Sequence, residues 1–331
     1  MKCFYHVDAD GKAAGFMVYK YESGEETTVN KLRQGLKDME TGGYFPLNVM
    51  SKSDFIKINY GMEFPLDQIE KDERVYIADY SIEPDEMRAL LKITSDVIWI
   101  DHHKTAIEKY KDFEDHIPGL RYDGIAGCML TWIYLFTYYK KHPDSNISQY
   151  VNLCPYDWLK YIADQDVWKF EYGDKTRYFC DRFNSLDHNE PYDDIFKNLC
   201  LHDSMADELI NEGKIINEYK KNHFSRMIKS KSFELSLPIR PGTASKYNVL
   251  ALNAAPGFAN SSAFDSVAYR DRYVAFLIFG IKDDRVNCTL YSDKIDCSEI
   301  AKNYSGGGHK GAAGFSMTLE EFYYIIDNKE E

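Results

Sequence analysis

Val75-Tyr76-Ile77-Ala78-Asp79, then Ser81-Ile82-Glu83-Pro84-Asp85-Glu86-Met87-Arg88-Ala89-Leu90-Leu91-Lys92-Ile93, then Val97-Ile98-Trp99-Ile100-Asp101-His102-His103, is the stretch that decides the fold. The outer two pieces are short apolar runs and read as strands. The piece between them has Pro84 near a helix start, acids in the first turn and an apolar stripe behind, and reads as a helix. Strand, helix and strand at this spacing form the βαβ unit of a parallel sheet. Each strand runs straight into an acid: Asp79 after the first, Asp101 after the second.

Working outward, residues 2–7 read as a short buried strand that enters an acidic turn. Gly11 then opens a helix carrying Ala13, Ala14, Phe16 and Met17, and Phe45 to Met50 reads as a further strand. Residues 125–141 and 156–163 read as helices. From 203 to 231 the pattern becomes one long polar helix. Across 214–231, Lys214, Lys220, Lys221, Arg226, Lys229 and Lys231 face a single Glu218, and we read the segment as a solvated connector rather than the basic wall of a cleft. After Phe233 come strands at 233–239, 247–253, 274–281 and 286–292, a helix from Cys297 to Tyr304, a glycine cluster, and a closing helix near Leu319 to Ile326. The expectation is an α/β protein. A Rossmann-like parallel-sheet domain covers 1–200, a helical connector 201–232, and a smaller α/β domain 233–331.

Bulk properties narrow the function. A formal net charge of −13 argues against gripping long duplex nucleic acid, whose phosphates call for a basic face. It does not argue against a small phosphate substrate met by a local cationic site made by metal ions. Seven cysteines with no CxxC spacing point to neither a disulfide framework nor structural zinc, and to a reducing cytoplasmic setting. The start MKCFYHVDADG reaches charge too soon for a signal peptide. The longest apolar runs, Cys128 to Phe136 and Tyr273 to Ile281, fall far short of the ~20 residues of a membrane span.

Four places put carboxylates or imidazoles at the ends of apolar elements: His6-Val7-Asp8-Ala9-Asp10-Gly11, Asp79, Asp101-His102-His103, and Asp164-Gln165-Asp166. If the backbone stays extended through the first, side chains 6, 8 and 10 share one face. In open parallel sheets functional groups collect beyond the carboxyl ends of the strands, where three of these four sites fall. Asp79 alone would read as a turn or cap residue, and His6 alone as a satisfied core histidine. Together the acids would repel one another without a cation. Oxygen-rich ligands with one or two imidazoles suit Mn²⁺ or Mg²⁺. The residues thus propose a dinuclear hydrolytic centre.

In order and approximate spacing, HVDADG, IADYS, IDHH and IADQD resemble the N-terminal motifs of DHH-family phosphoesterases. GGGHKGAAGF, Gly306 to Phe315, resembles the signature of the partner DHHA1 domain. The resemblance covers nearly the whole chain. It implies two Mn²⁺ ions, with Mg²⁺ an alternative. His6, Asp8 and Asp79 would hold the first ion and Asp10, Asp79, His102 and Asp164 the second. Asp101 would orient its neighbouring histidine, and His103 would face the scissile phosphate. The implied activity is a phosphodiesterase on short oligonucleotides or cyclic and linear dinucleotides, working through a bridging hydroxide. The first motif, in its HxDxDG form, points to the branch similar to oligoribonucleases and cyclic-nucleotide phosphodiesterases. A pyrophosphatase or exopolyphosphatase with the same centre is the alternative, and a homodimer is compatible with the family.

Asp166 ranks below Asp164 as a ligand, because Asp164 follows Ile162-Ala163 as Asp79 follows Ile77-Ala78. Asp166 then reads as a supporting partner or a helix-end residue. Gly306, Gly307 and Gly308 can turn backbone N–H groups toward an anion, and with His309 and a following helix start they are expected to grip the substrate's terminal phosphate or sugar across the domain cleft. The sequence departs from short-oligoribonucleotide relatives at Tyr291, where an Arg is expected. The cationic grip is therefore left to Arg270, Arg272 or Arg285, or is missing.

Overall fold

A computed structural model of the protein describes residues 1–24, 51–137, 139, 146–254, 259–308 and 310–327. The expected strand at Phe45 to Met50 lies outside these residues, as does His309. The chain forms two compact units, Met1–Ile216 and Asn217–Glu331.

The first unit is built on five parallel strands in the order β2-β1-β3-β4-β5. These are β1 (Lys2–His6), β2 (Phe55–Ile58), β3 (Val75–Ala78), β4 (Val97–Asp101) and β5 (Gly119–Arg121). Helix α1 (Ala9–Glu22) follows β1, and α2 (Pro84–Ile93) joins β3 to β4 with Pro84 in its first turn. The βαβ reading of 75–103 is therefore correct. After α3 (Lys104–Lys109) and β5 come α4 (Gly127–Phe136), α5 (Ser148–Val151), α6 (Asp157–Asp166), α7 (Asp174–Phe183) and α8 (Asp194–Leu201). β1 and β3 are apolar on both faces because helices α1 and α4 pack over one side while Phe4, Ile77 and Val97 meet Met87 and Leu90 of α2 on the other. Strand β2 was not anticipated; only Phe55 and Ile58 of its four residues are buried, too few to stand out in the sequence.

Helix α9 (Asp203–Lys231) runs from the first unit into the second. The second unit is a six-stranded sheet in the order β10-β11-β9-β8-β7-β6. Its strands are β6 (Ser232–Pro238), β7 (Lys246–Asn253), β8 (Ala275–Lys282), β9 (Arg285–Tyr291), β10 (Gly307–Gly308) and β11 (Ala312–Thr318). All pairs are antiparallel except β7 with β8. Helices α10 (Cys297–Asn303) and α11 (Leu319–Asp327) cover one face. The helix start expected after the glycine cluster is not there. Ala312–Thr318 is a strand, and Ala313, Phe315 and Met317 alternate into the core with the period of two that only a strand can satisfy. Among the described residues no helix is long and apolar enough to cross a membrane, and no disulfide joins the seven cysteines.

Candidate metal centre

The carboxyl ends of β1, β3 and β4 lie side by side, and the charged groups gather there. The backbone does not stay extended through His6 to Asp10 as expected. Asp8 caps α1, its Oδ1 accepting from Gly11 N at 2.9 Å, so Asp10 already sits in the first helical turn. Gly11 permits this sharp entry, because a Cβ there would collide with the carbonyl of His6. The groups still converge. His6 Nδ1 lies 2.8 Å from Asp8 Oδ2 and 3.8 Å from Asp79 Oδ2. His102 Nε2 lies 3.3 Å from Asp79 Oδ1, 3.3 Å from Asp166 Oδ2 and 3.7 Å from Asp10 Oδ2. Three groups could each hold an ion: His6 with Asp8 and Asp79, Asp79 with His102 and His103, and Asp10 with His102 and Asp166, so that Asp79 is shared by the first two and His102 by the last two.

Asp79 is fully buried and holds a left-handed backbone with φ of 55°, a conformation Asp tolerates better than most residues at a functional turn. The N-terminus of α4 presses against it, and a Cβ on Gly127 would come within 2.5 Å of Asp79 Oδ1. The same helix start fixes Asp10, whose Oδ2 and Oδ1 accept from Gly127 N at 2.7 Å and Cys128 N at 2.9 Å. Burial, then the charges of Asp10, Asp8, Asp166 and Asp101, drive the Asp79 carboxyl well above the usual carboxylate range.

Asp101, also fully buried, works on His103. Its Oδ1 accepts from His103 Nδ1 at 2.7 Å and from His102 N at 2.7 Å, while Ser81 Oγ donates to Oδ2. Trp99 Nε1 in turn donates to Ser81 Oγ at 3.1 Å. Burial alone would lower His103, but the Asp101 hydrogen bond and charge outweigh it and raise its pKa. Nδ1 is committed to Asp101, so Nε2 is the atom His103 can turn toward a substrate.

Two buried atoms at the centre of this arrangement, His6 Nδ1 and Asp79 Oδ1, have no hydrogen-bond partner among the described residues. The tautomer of His6 follows from Asn59. Asn59 Oδ1 accepts from Tyr60 N at 2.8 Å, so it also accepts from His6 Nε2 at 3.2 Å, and Nδ1 is the ring atom that faces the carboxylate oxygens of Asp8 and Asp79. Buried carboxylates and imidazole nitrogens crowded this closely fit a cation, and the oxygen-rich donor set fits a hard one.

No family model matches the chain. It is 25% identical over 317 residues to an uncharacterised protein of Acanthamoeba polyphaga mimivirus, covering 94% of this chain and 65% of that one. It is 26% identical over 238 residues to Oligoribonuclease NrnB of Bacillus subtilis (strain 168), covering 69% of this chain and 54% of the relative. The chain therefore spans less than two thirds of the length of either. Among solved structures, a DHH domain described as a member of a family of ribosomal proteins superposes with a TM-score of 0.51 at 14% identity, over 99% of this chain and 87% of that one. The chain has the DHH fold.

Within the DHH fold, the structure departs from expectation on one proposed ligand. Asp164 does not join the group. Its carboxylate accepts from Glu171 N at 2.8 Å, Tyr172 N at 3.3 Å and Thr176 Oγ1 at 2.5 Å, tying the end of α6 to the start of α7. Asp166 occupies the place beside His102 instead. On a helix, residues two apart point to nearly opposite sides, so only one of the pair can reach the sheet ends. Reasoning by analogy with Asp79 treated the end of a helix as the end of a strand. Sequence reading also missed Asn59, Ser81 and Gly127, single residues in turns or at a helix start.

The glycine segment of the second unit is built differently. Gly306 N donates to Ala301 O at 2.8 Å, Gly307 pairs with Gly314, and Gly308, at φ of 139°, pairs with Ala313. Gly307 alone has open space around it. The candidate cations are engaged locally. Arg270 donates to Phe264 O and Asp265, Arg272 pairs with Glu234, and Arg285 forks onto Ser316.

Proposed function

We propose that this DHH-fold chain is a metal-dependent phosphodiesterase that hydrolyses short oligonucleotides or cyclic and linear dinucleotides, using two Mn²⁺ or Mg²⁺ ions. The observation that carries the reading is the pair of orphaned buried atoms, His6 Nδ1 and Asp79 Oδ1, in a cluster where burial and neighbouring acids push the Asp79 carboxyl up. His6, Asp8 and Asp79 would hold one ion, and Asp79, Asp10, His102 and Asp166 the other. Bound there, the ions supply an acidified water and offset the charge of a phosphoryl group. The chain's own part is positional. Asp79 sets the spacing, Asn59 and the α4 N-terminus aim His6 and Asp10, and Asp101 holds the His103 ring so that Nε2 meets the phosphate. The relative named an oligoribonuclease supports a nucleotide substrate, and the net charge of −13 favours a small one. Gly307, exposed and unobstructed, remains the proposed contact of the glycine segment with substrate, and seven unlinked cysteines favour the cytoplasm.

The test is Mn²⁺-dependent hydrolysis of a 5′-labelled RNA dinucleotide, of a cyclic dinucleotide and of pyrophosphate, with Asp101→Ala as control. We expect mononucleotide release from a diester, lowered at least about 100-fold in the variant by loss of an aligned catalytic group. Phosphate release from pyrophosphate alone would replace this reading with the pyrophosphatase.

A further inference from the structure

Tyr60 lies in the turn that leaves β2, closed by one bond of its own and held against the candidate metal centre by two more. Met62 N donates to Asn59 O at 3.1 Å, Asn59 Oδ1 accepts from His6 Nε2 at 3.2 Å, and Tyr80 Oη donates to Asn59 O at 3.4 Å. Gly61, at φ of 86°, supplies the left-handed residue the turn needs. The Tyr60 ring is thereby placed 5.6 Å from the ring of His6, 5.7 Å from that of His103 and 5.0 Å from that of Tyr80, measured between centroids. It bridges the outer edges of the two histidines, which are themselves 6.3 Å apart.

The ring packs on three aromatic neighbours, and the residue is still 52% exposed, so it lies at the solvent side of the cluster. Its ring reaches both histidines, yet no group among the described residues bonds its hydroxyl. Phe would make the same ring contacts, so the oxygen is the part left unexplained. A phenol O–H is a neutral donor, the type of group that adds a hydrogen bond to a phosphoryl oxygen without displacing a cation from the acids beside it.

We propose that Tyr60 binds substrate at the metal centre, its hydroxyl donating to a non-bridging oxygen of the phosphodiester that faces His103. This deepens, and rests on, the phosphodiesterase reading above. A donor aimed at a phosphoryl oxygen acts where charge accumulates as the bond breaks, and losing one such donor typically costs ~10²-fold or more in rate. The residue is half exposed rather than enclosed, so the expected loss in Tyr60→Phe is about 10- to 100-fold in kcat/KM.

The experiment compares the unaltered protein with Tyr60→Phe and Tyr60→Leu. It reads Mn²⁺-dependent hydrolysis of the dinucleotide, calorimetric affinity for a non-hydrolysable phosphonate-linked dinucleotide, and Mn²⁺ affinity. The proposal expects Tyr60→Phe to lose hydrolysis and to bind the phosphonate several-fold more weakly, while its melting temperature and Mn²⁺ affinity match those of the unaltered protein. If Tyr60→Phe hydrolyses and binds as the unaltered protein does, the hydroxyl has no role and the proposal is overturned, even if Tyr60→Leu is impaired. Mn²⁺ affinity that falls in Tyr60→Phe in step with activity also overturns it, since the residue would then act on the metal ligands. If the unaltered protein cleaves no diester, the phosphodiesterase reading fails and this proposal fails with it.

Discussion

At the end of β3 the chain leaves Asp79 buried, in a left-handed backbone, with one carboxylate oxygen unbonded. At the glycine segment of the second unit, the sequence signal is just as conspicuous, but Gly306 and Gly308 close backbone hydrogen bonds and fit against β11. The contrast separates two reasons for an unusual local sequence. Glycines can be required because backbones approach closely, and the demand is then met inside the fold. Buried carboxylates and imidazoles without donors are a different matter, because the fold tolerates them only if something outside the chain completes them. Among the described residues, every group of three or more acids, histidines or cysteines able to hold an ion lies in the first unit.

The comparison breaks first at Asp79. Asp79→Asn keeps a residue tolerant of the left-handed backbone while removing the charge. Its Mn²⁺ affinity by calorimetry should fall by more than the 10- to 100-fold typical of a residue that only supports a ligand. The metal-free variant should in turn be more stable, by about 1–3 kcal/mol, because an uncompensated buried charge is gone. Unchanged affinity would mean that the unbonded oxygen is a packing accident.

Asp164 and Asp166 sharpen it. Asp166→Asn should lose Mn²⁺ affinity about 10- to 100-fold with stability nearly unchanged. Asp164→Asn should do the reverse, keeping affinity and losing about 2 kcal/mol, since its carboxylate accepts three hydrogen bonds at the α6–α7 corner. Equal losses of affinity would return Asp164 to the ligand set.

A second pair sets the glycines of the two units against each other. Gly127→Ala drives a methyl group against Asp79 and should cost about 2–3 kcal/mol in chemical denaturation. Gly307→Ala meets open space and should stay within ~0.5 kcal/mol. If Gly307→Ala nonetheless weakens dinucleotide binding, the glycine segment takes part in recognition.

Much of this was legible because it rests on periodicity. The runs 75–78 and 97–100 and the stripe between them specify the sheet, and the acids at their ends mark its functional edge. What was not legible depended on direction rather than pattern. The turn at Val7 and Asp8 puts Asp10 on a helix, and the 100° step of α6 decides between Asp164 and Asp166. The strand at Ala312–Thr318 does alternate, with Ala313, Phe315 and Met317 buried, but the glycine cluster before it carries the stronger signal of a phosphate loop. Asn59 and Ser81 carry no periodic signal, and only their bonds to His6 and Asp101 disclose them.

The smallest expected effect concerns a charge network one residue from the candidate metal centre, at Glu190. Glu190 accepts from Tyr5 Oη at 2.7 Å and Lys57 Nζ at 2.8 Å, with Lys12 Nζ at 3.6 Å. Burial pushes its carboxyl up, but the Lys57 and Tyr5 hydrogen bonds and the Lys12 charge outweigh that and leave it below the usual range. A folded-state pKa below the unfolded value means that the charge stabilises the fold above the unfolded pKa, near ~4.3, and that this stabilisation is lost as pH falls through the folded value. Glu190→Gln should therefore cost about 1 kcal/mol at pH 7, a figure kept small by the solvent around Lys57. The gap between variant and unaltered protein should close under strongly acidic conditions. Taking that gap, rather than either protein alone, cancels the titration of the acids around Asp79, which both share. A penalty of the same size at both pH values would show that Glu190 acts through the geometry of its hydrogen bonds rather than through its charge, and that this network owes its stability to shape.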